Sequence, residues 1–108
     1  MLDRDRLTGL GRGLPPAVFA SLVEDCLADV QERLPLLRQA AADGAADEVK
    51  ALAHAMAGVS GTYGLAALEV RLRRLMADPG RTAEVPEVEA EFARAEQALA
   101  VMMQAAAA

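Results

Sequence analysis

The sequence predicts an all-α protein: an up-down-up-down antiparallel four-helix bundle with a short N-terminal helix or lid. Three observations predict it. Apolar residues recur at steps of three and four along four successive segments, which is one face of a helix each time. Short runs of Gly, Pro and Asp separate the segments. Trp and Ile are absent, Tyr occurs once and Phe twice. Leu, Ala, Val and Met must then fill the core, a palette that favours helices over sheets. No strand pattern and no internal repeat interrupts this reading. A length of 108 residues makes a single domain over 1–108, with enough chain for one core. The bundle is expected over about 15–104, with a lid over 1–14 and a frayed tail over 105–108.

The N-terminal stretch sets Leu7, Leu10 and Leu14 among charges and glycines, as a short helix or lid would. Pro15 and Pro16 mark a helix start, because proline suits the first turn. The stripe Phe19, Val23, Cys26, Val30, Leu34, Leu37 and Ala41 carries that helix to about Ala42. Pro35 removes one backbone hydrogen bond and is expected to kink the helix rather than end it, since the stripe continues past it. Asp43-Gly44 is a stop signal. The third segment runs from about Ala46 to Ser60 or a little beyond, on the stripe Val49, Leu52, Met56 and Val59. Gly61 to Gly64 form a turn or a last helical turn. Leu65, Leu68, Leu72 and Leu75 make the next stripe, ended by Asp78-Pro79-Gly80, and pair with the preceding helix as a tight hairpin. Residues 81–86 are a loop with Pro86 as helix starter. The last stripe is Val85, Val88, Phe92, Ala95, Leu99 and Met102.

The formal net charge of −5 repels nucleic-acid phosphates and anionic lipid, which excludes both as general partners. Cys26 is the only cysteine, so an internal disulfide is excluded and a reducing compartment is expected. Its place on the apolar stripe assigns it to the core rather than to redox chemistry. The charged amino terminus lacks the apolar run of a signal peptide. No segment approaches the ~18 apolar residues of a membrane span. A cytoplasmic, soluble monomer is the expectation.

One residue stands out chemically. His54 is the only histidine, and its direction follows from a helical wheel at roughly 100° per residue. With Val49 at zero, Leu52, Met56 and Val59 fall at roughly 300°, 340° and 280°, a mean of about 320°. His54 falls at roughly 140°, opposite that core, and should face solvent. Gly58 and Gly61 fall near it, and Ala51 and Ala57 flank it, so the surface around the ring is stripped of bulk. Glycine at 58 costs about 0.5–1 kcal/mol relative to alanine in a helix interior. Close approach of another molecule to the imidazole gives that cost a reason. Lys50, the only lysine, lies one turn before His54, where a cation reaches an anion on the ring. One His and one Cys on different helices fall short of a metal set, so no metal is expected. Hydrolytic chemistry needs a pocket and converging groups that an outward His on a narrow bundle lacks.

The segment Ala53-His54-Ala55-Met56-Ala57-Gly58-Val59-Ser60-Gly61-Thr62-Tyr63-Gly64-Leu65 resembles the signature of the histidine-containing phosphotransfer (HPt) family. The matching positions are Ala53, His54, Met56, Gly58, Ser60 and Gly64. The Thr-Tyr-Gly ending is also similar to the phosphotransfer domain at the start of chemotaxis kinases. The resemblance spans roughly residues 15–102, and its specific part is 53–64. It implies a phosphoryl carrier of a two-component phosphorelay, not an enzyme. His54 would accept phosphate from a receiver aspartate or a histidine kinase and pass it to a response regulator. The resemblance implies no cofactor on this chain, and Mg²⁺ on the receiver. Gly58 and Gly64 would let the receiver approach. Ala51, Ala57, Gly61 and exposed Val70 would complete the docking patch. Ser60 points coreward at roughly 20° on the wheel and is assigned to helix packing.

The sequence departs from the family at Ala57, where the family usually has a lysine. Lys50, Arg73 or Arg74 would then offset the phosphoryl charge, with Arg71 a further candidate. The plain alternative for the arginines is a solvated face whose stems cover the core. A bundle that binds a receiver or kinase without taking phosphate is the second reading. The dimerisation domain of a sensor kinase is a third class. That motif usually has an acidic residue after the histidine and a nearby proline, and Ala55 and the lack of that proline argue against it.

Overall fold

The computed structural model describes the backbone of residues 1–107 and the side chains of residues 1–105. Among the described residues the chain is all helical: α1 (Arg4–Gly11), α2 (Pro16–Ala42), α3 (Ala46–Thr62), α4 (Ala66–Ala77) and α5 (Glu84–Ala107). The N-terminal lid is therefore a real helix. Asp3 caps it, its carboxylate accepting the Arg6 backbone N–H at 3.1 Å and satisfying one of the free donors of the first turn. Helix α2 starts at Pro16 and runs through Pro35 as one 27-residue helix. It stops at Asp43, and Gly44 takes a positive φ of 67°, the left-handed turn that ends many helices. Helix α5 begins two residues before Pro86, whose missing N–H falls in the first turn where donors lack partners anyway. Ala105 to Ala107, expected to fray, continue α5. Ala108 lies outside the described residues.

The four long helices pack in a ring, α2 on α3, α3 on α4, α4 on α5 and α5 back on α2. The molecule is a rod of 45 × 20 × 20 Å. Its radius of gyration of 14.3 Å exceeds the roughly 13 Å of a rounder chain of this length, because a helix of this size is about 40 Å long. The core runs down the axis through Val23, Cys26, Val30, Leu37, Val49, Met56, Leu68, Leu72, Leu75, Val88, Phe92 and Leu99, all buried. Arg38 and Glu89 join α2 to α5 at the surface. Arg71 of α4 reaches Glu84, Glu87 and Glu91 of α5 at 3.6, 3.7 and 3.4 Å.

Helix α3 is rotated from its expected setting. Val49 and Met56 are buried as predicted, but Leu52 and Val59 are only half-buried, while Ala53, Ala57, Ser60 and Gly61 are fully enclosed. The buried face is turned by about 80° on the wheel toward this small-residue side. The cause is steric. Ala53, Ala57 and Gly61 recur one turn apart and leave room for α4 to come close, so they are enclosed with Val49 and Met56 while Leu52 and Val59 lie at the rim.

Candidate functional site

His54 is on α3 and exposed, as the wheel required. It does not stand opposite the core, however. The rotation of α3 brings it to the edge of the α3–α4 seam, where its Nδ1 lies 3.3 Å from the Sδ of Met76. The two helices run antiparallel in a definite register. Tyr63 to Leu65 make the turn. His54 meets Met76 across it, and Gly61 meets Glu69: a Cβ on Gly61 would lie 2.7 Å from the Glu69 carboxylate. Both pairs are equally spaced about Leu65. Met76 was missed by the sequence reading. The signal for it was that symmetry about the hairpin turn, which places Met76 opposite His54 once α3 and α4 are taken as a hairpin.

Three predicted neighbours hold their places. Lys50 and Ala51 are exposed on the same side of α3, and Lys50 makes no ion pair among the described residues. Gly58 is exposed, and a Cβ there would meet nothing within 4 Å. Internal packing therefore does not require glycine at this position. The open space next to the ring is available to an incoming molecule.

Other predicted positions are corrected. Ala57 is fully buried in the α3–α4 seam and presents no docking surface. Gly61 is buried under the Glu69 carboxylate, and its carbonyl accepts the Arg6 guanidinium at 2.7 Å. Gly64 is buried with a φ of 71°, and its carbonyl accepts the Asp3 N–H at 2.7 Å. Gly61 and Gly64 thus seat α1, and no partner reaches them while α1 is in place. Val70 and Arg74 are exposed but share a surface hollow with Met1, Ala67, Arg71 and Glu91. Arg74 points roughly 160° around α4 from Met76, away from the imidazole. Arg73 does lie on the Met76 side, about 60° away. Its guanidinium is tied to Glu69, Nε and Nη2 lying 2.9 and 2.7 Å from Oε2, which neutralises much of its charge locally.

Among the described residues no group of three His, Cys, Asp or Glu side chains is placed to hold a metal ion. Burial pushes the Cys26 thiol up to about 12, with Asp29 adding to the effect, so the thiolate that would react is absent near neutral pH. The apolar hollows under α1 and between α2 and α5 are lined by Leu7 and Phe19 and by Val23, Leu27 and Leu99, and His54 lines neither. The His54 face presents an exposed ring beside the open space at Gly58.

A comparison with known protein families matches residues 21–108 to the Hpt domain, a span from within α2 to the end of the chain that excludes α1. No curated protein and no solved structure matches the chain. The family match covers most of the sequence and includes the exposed His54. The chain belongs to the Hpt domain family, whose members are phosphocarrier modules of two-component signalling.

Proposed function

We propose that His54 is the phosphoacceptor of a phosphorelay. It takes the phosphoryl group from a receiver aspartate or a histidine kinase and passes it to a response regulator. The observation that carries this reading is the exposed imidazole beside Gly58, on a face where an added Cβ meets open space. In the transfer, the Nε2 lone pair forms a bond to phosphorus as the acyl-phosphate P–O bond breaks. The electron pair leaves with the aspartate carboxylate. Positioning and charge neutralisation supply the rate, as in other phosphoryl transfers. Lys50, which makes no ion pair among the described residues and lies one turn before the ring, is the candidate on α3 to offset the arriving charge. Arg73 can contribute once Glu69 releases it. The divalent cation belongs to the receiver.

The same reading takes the ring of four packed helices as the up-down-up-down order of the family. It also takes the chain as a cytoplasmic monomer. No described helix is long and apolar enough to cross a membrane. The negative net charge of −5 argues against nucleic acid as a partner.

The test uses the purified chain and a receiver carrying labelled phosphate. Wild type should acquire an acid-labile, base-stable label, and His54→Gln should acquire none. Equal labelling of His54→Gln would end the assignment. Receiver binding without uptake by wild type would favour the non-catalytic binding module, for which the missing lysine at Ala57 is the supporting observation.

A further inference from the structure

We propose that the seam between α2 and α5 is a docking groove for a basic amphipathic helix, a partner that holds the domain from the side opposite His54.

The groove comes from unequal packing. Of the four seams in the ring, α3–α4 is the closest and α2–α5 the loosest. Between α2 and α5 lies an apolar hollow of about 260 Å³. Val23 and Leu99 are buried at its base, Leu27 and Met103 are half-buried along it, and the small side chains of Ala20 and Ala100 leave it open. On each helix these residues recur at steps of three and four, so two apolar strips run side by side along the rod. A third helix fits such a surface, because its ridges settle into the groove between two neighbouring helices. Met103 is unbranched and adapts its shape to what packs on it.

Charge names the occupant. The two polar residues of the lining are Glu24 on α2 and Glu96 on α5, and neither makes an ion pair among the described residues. No Lys or Arg occurs in α2 from Pro16 to Glu32, nor in α5 from Ala95 onward. Anionic lipid and nucleic acid are repelled by such a rim. A second copy presenting the same face is repelled too, because a two-fold contact sets like glutamates against each other. A helix whose apolar stripe is flanked by Lys or Arg satisfies both the strips and the carboxylates. The ring order sets this seam across from the α3–α4 seam, at whose edge His54 stands. A helix seated between α2 and α5 therefore tethers the domain and leaves the imidazole open.

The experiment uses the full chain and a synthetic helix-forming peptide with Leu at i, i+3, i+4 and i+7 and Lys on the flanking positions. Saturable ¹H–¹⁵N shift changes are expected at Val23, Leu27, Leu99 and Met103, with little change at Lys50 and Gly58. Binding should weaken as salt is raised, because the rim charges are screened. The double variant Glu24→Lys, Glu96→Lys should weaken it about tenfold or more. Ala100→Trp, at an exposed position, should fill the groove and abolish binding while circular dichroism shows an intact helical fold. Equal binding of a peptide with Glu in place of Lys overturns the proposal, as do shift changes centred on another seam. Dimerisation of the chain alone in sedimentation, with the same groove residues shifting on dilution, also overturns it and gives the groove to a second copy.

Discussion

At the scale of single residues, the chemistry of this protein is set by what surrounds His54 and by what is missing there. Gly58 faces open space, so its lack of a side chain lowers helix stability with no packing return inside the chain. Gly58→Ala is expected to raise stability by about 0.5–1 kcal/mol, seen as a higher midpoint in urea melts. Gly58→Trp should fold as well but slow uptake from a phosphorylated receiver at least about tenfold, a steric cost of about 1.4 kcal/mol. Unchanged uptake by the Trp variant would mean that the partner does not approach over this turn. Ala57, where the family usually has a lysine, is enclosed by the seam. With alanine there, Lys50 and Arg73 are the cations on the imidazole side.

At the scale of elements, α1 acts as a clasp on the end of the α3–α4 hairpin. Three groups hold it: the Asp3 N–H on the Gly64 carbonyl, the Arg6 guanidinium on the Gly61 carbonyl, and buried Leu7. Gly64 is critical on two counts. Its φ of 71° is a left-handed conformation, and a Cβ there would lie 2.7 Å from the Asp3 carbonyl. Gly64→Ala should therefore cost about 1–3 kcal/mol in chemical denaturation and loosen α1, raising amide exchange at Leu7. His54 is seven residues before Gly61, or about 10 Å along the helix, so phosphate uptake by the folded Gly64→Ala fraction should persist. Loss of uptake in proportion to α1 release would show instead that the clasp supports the site.

At the scale of the whole molecule, stability depends on a core of Leu, Val, Ala and Met that also encloses one thiol. The Cys26 thiol ionises ordinarily near 9.0 and is pushed up to about 12 by burial. Between those values the unfolded chain has lost this proton and the folded chain has kept it. The unfolded state binds fewer protons, so native stability falls as pH rises through that interval. Urea melts of wild type across it should show that decline, and Cys26→Ala should show a shallower one. A thiol reagent should label the native protein slowly at neutral pH and the urea-unfolded protein at once. Rapid native labelling would contradict the burial of Cys26.

The pattern of apolar spacing by itself determined that the chain is helical, where each of the long helices lies, and that His54 reaches solvent. Those properties follow from periodicity and from residues such as Asp43-Gly44 and Pro16, whose effects are local. Tertiary structure alone decided which face of α3 is inside. A wheel weighs Leu52 and Val59 above alanine, but close approach of two helices selects the smallest side chains, so Ala53, Ala57 and Gly61 took the interior. The same packing gave Gly61 and Gly64 to α1, turned Val70 and Arg74 away from the ring, and set Met76 against His54. Such outcomes depend on the distance and rotation between helices, and those are properties of how the helices fill the space between them rather than of any one segment.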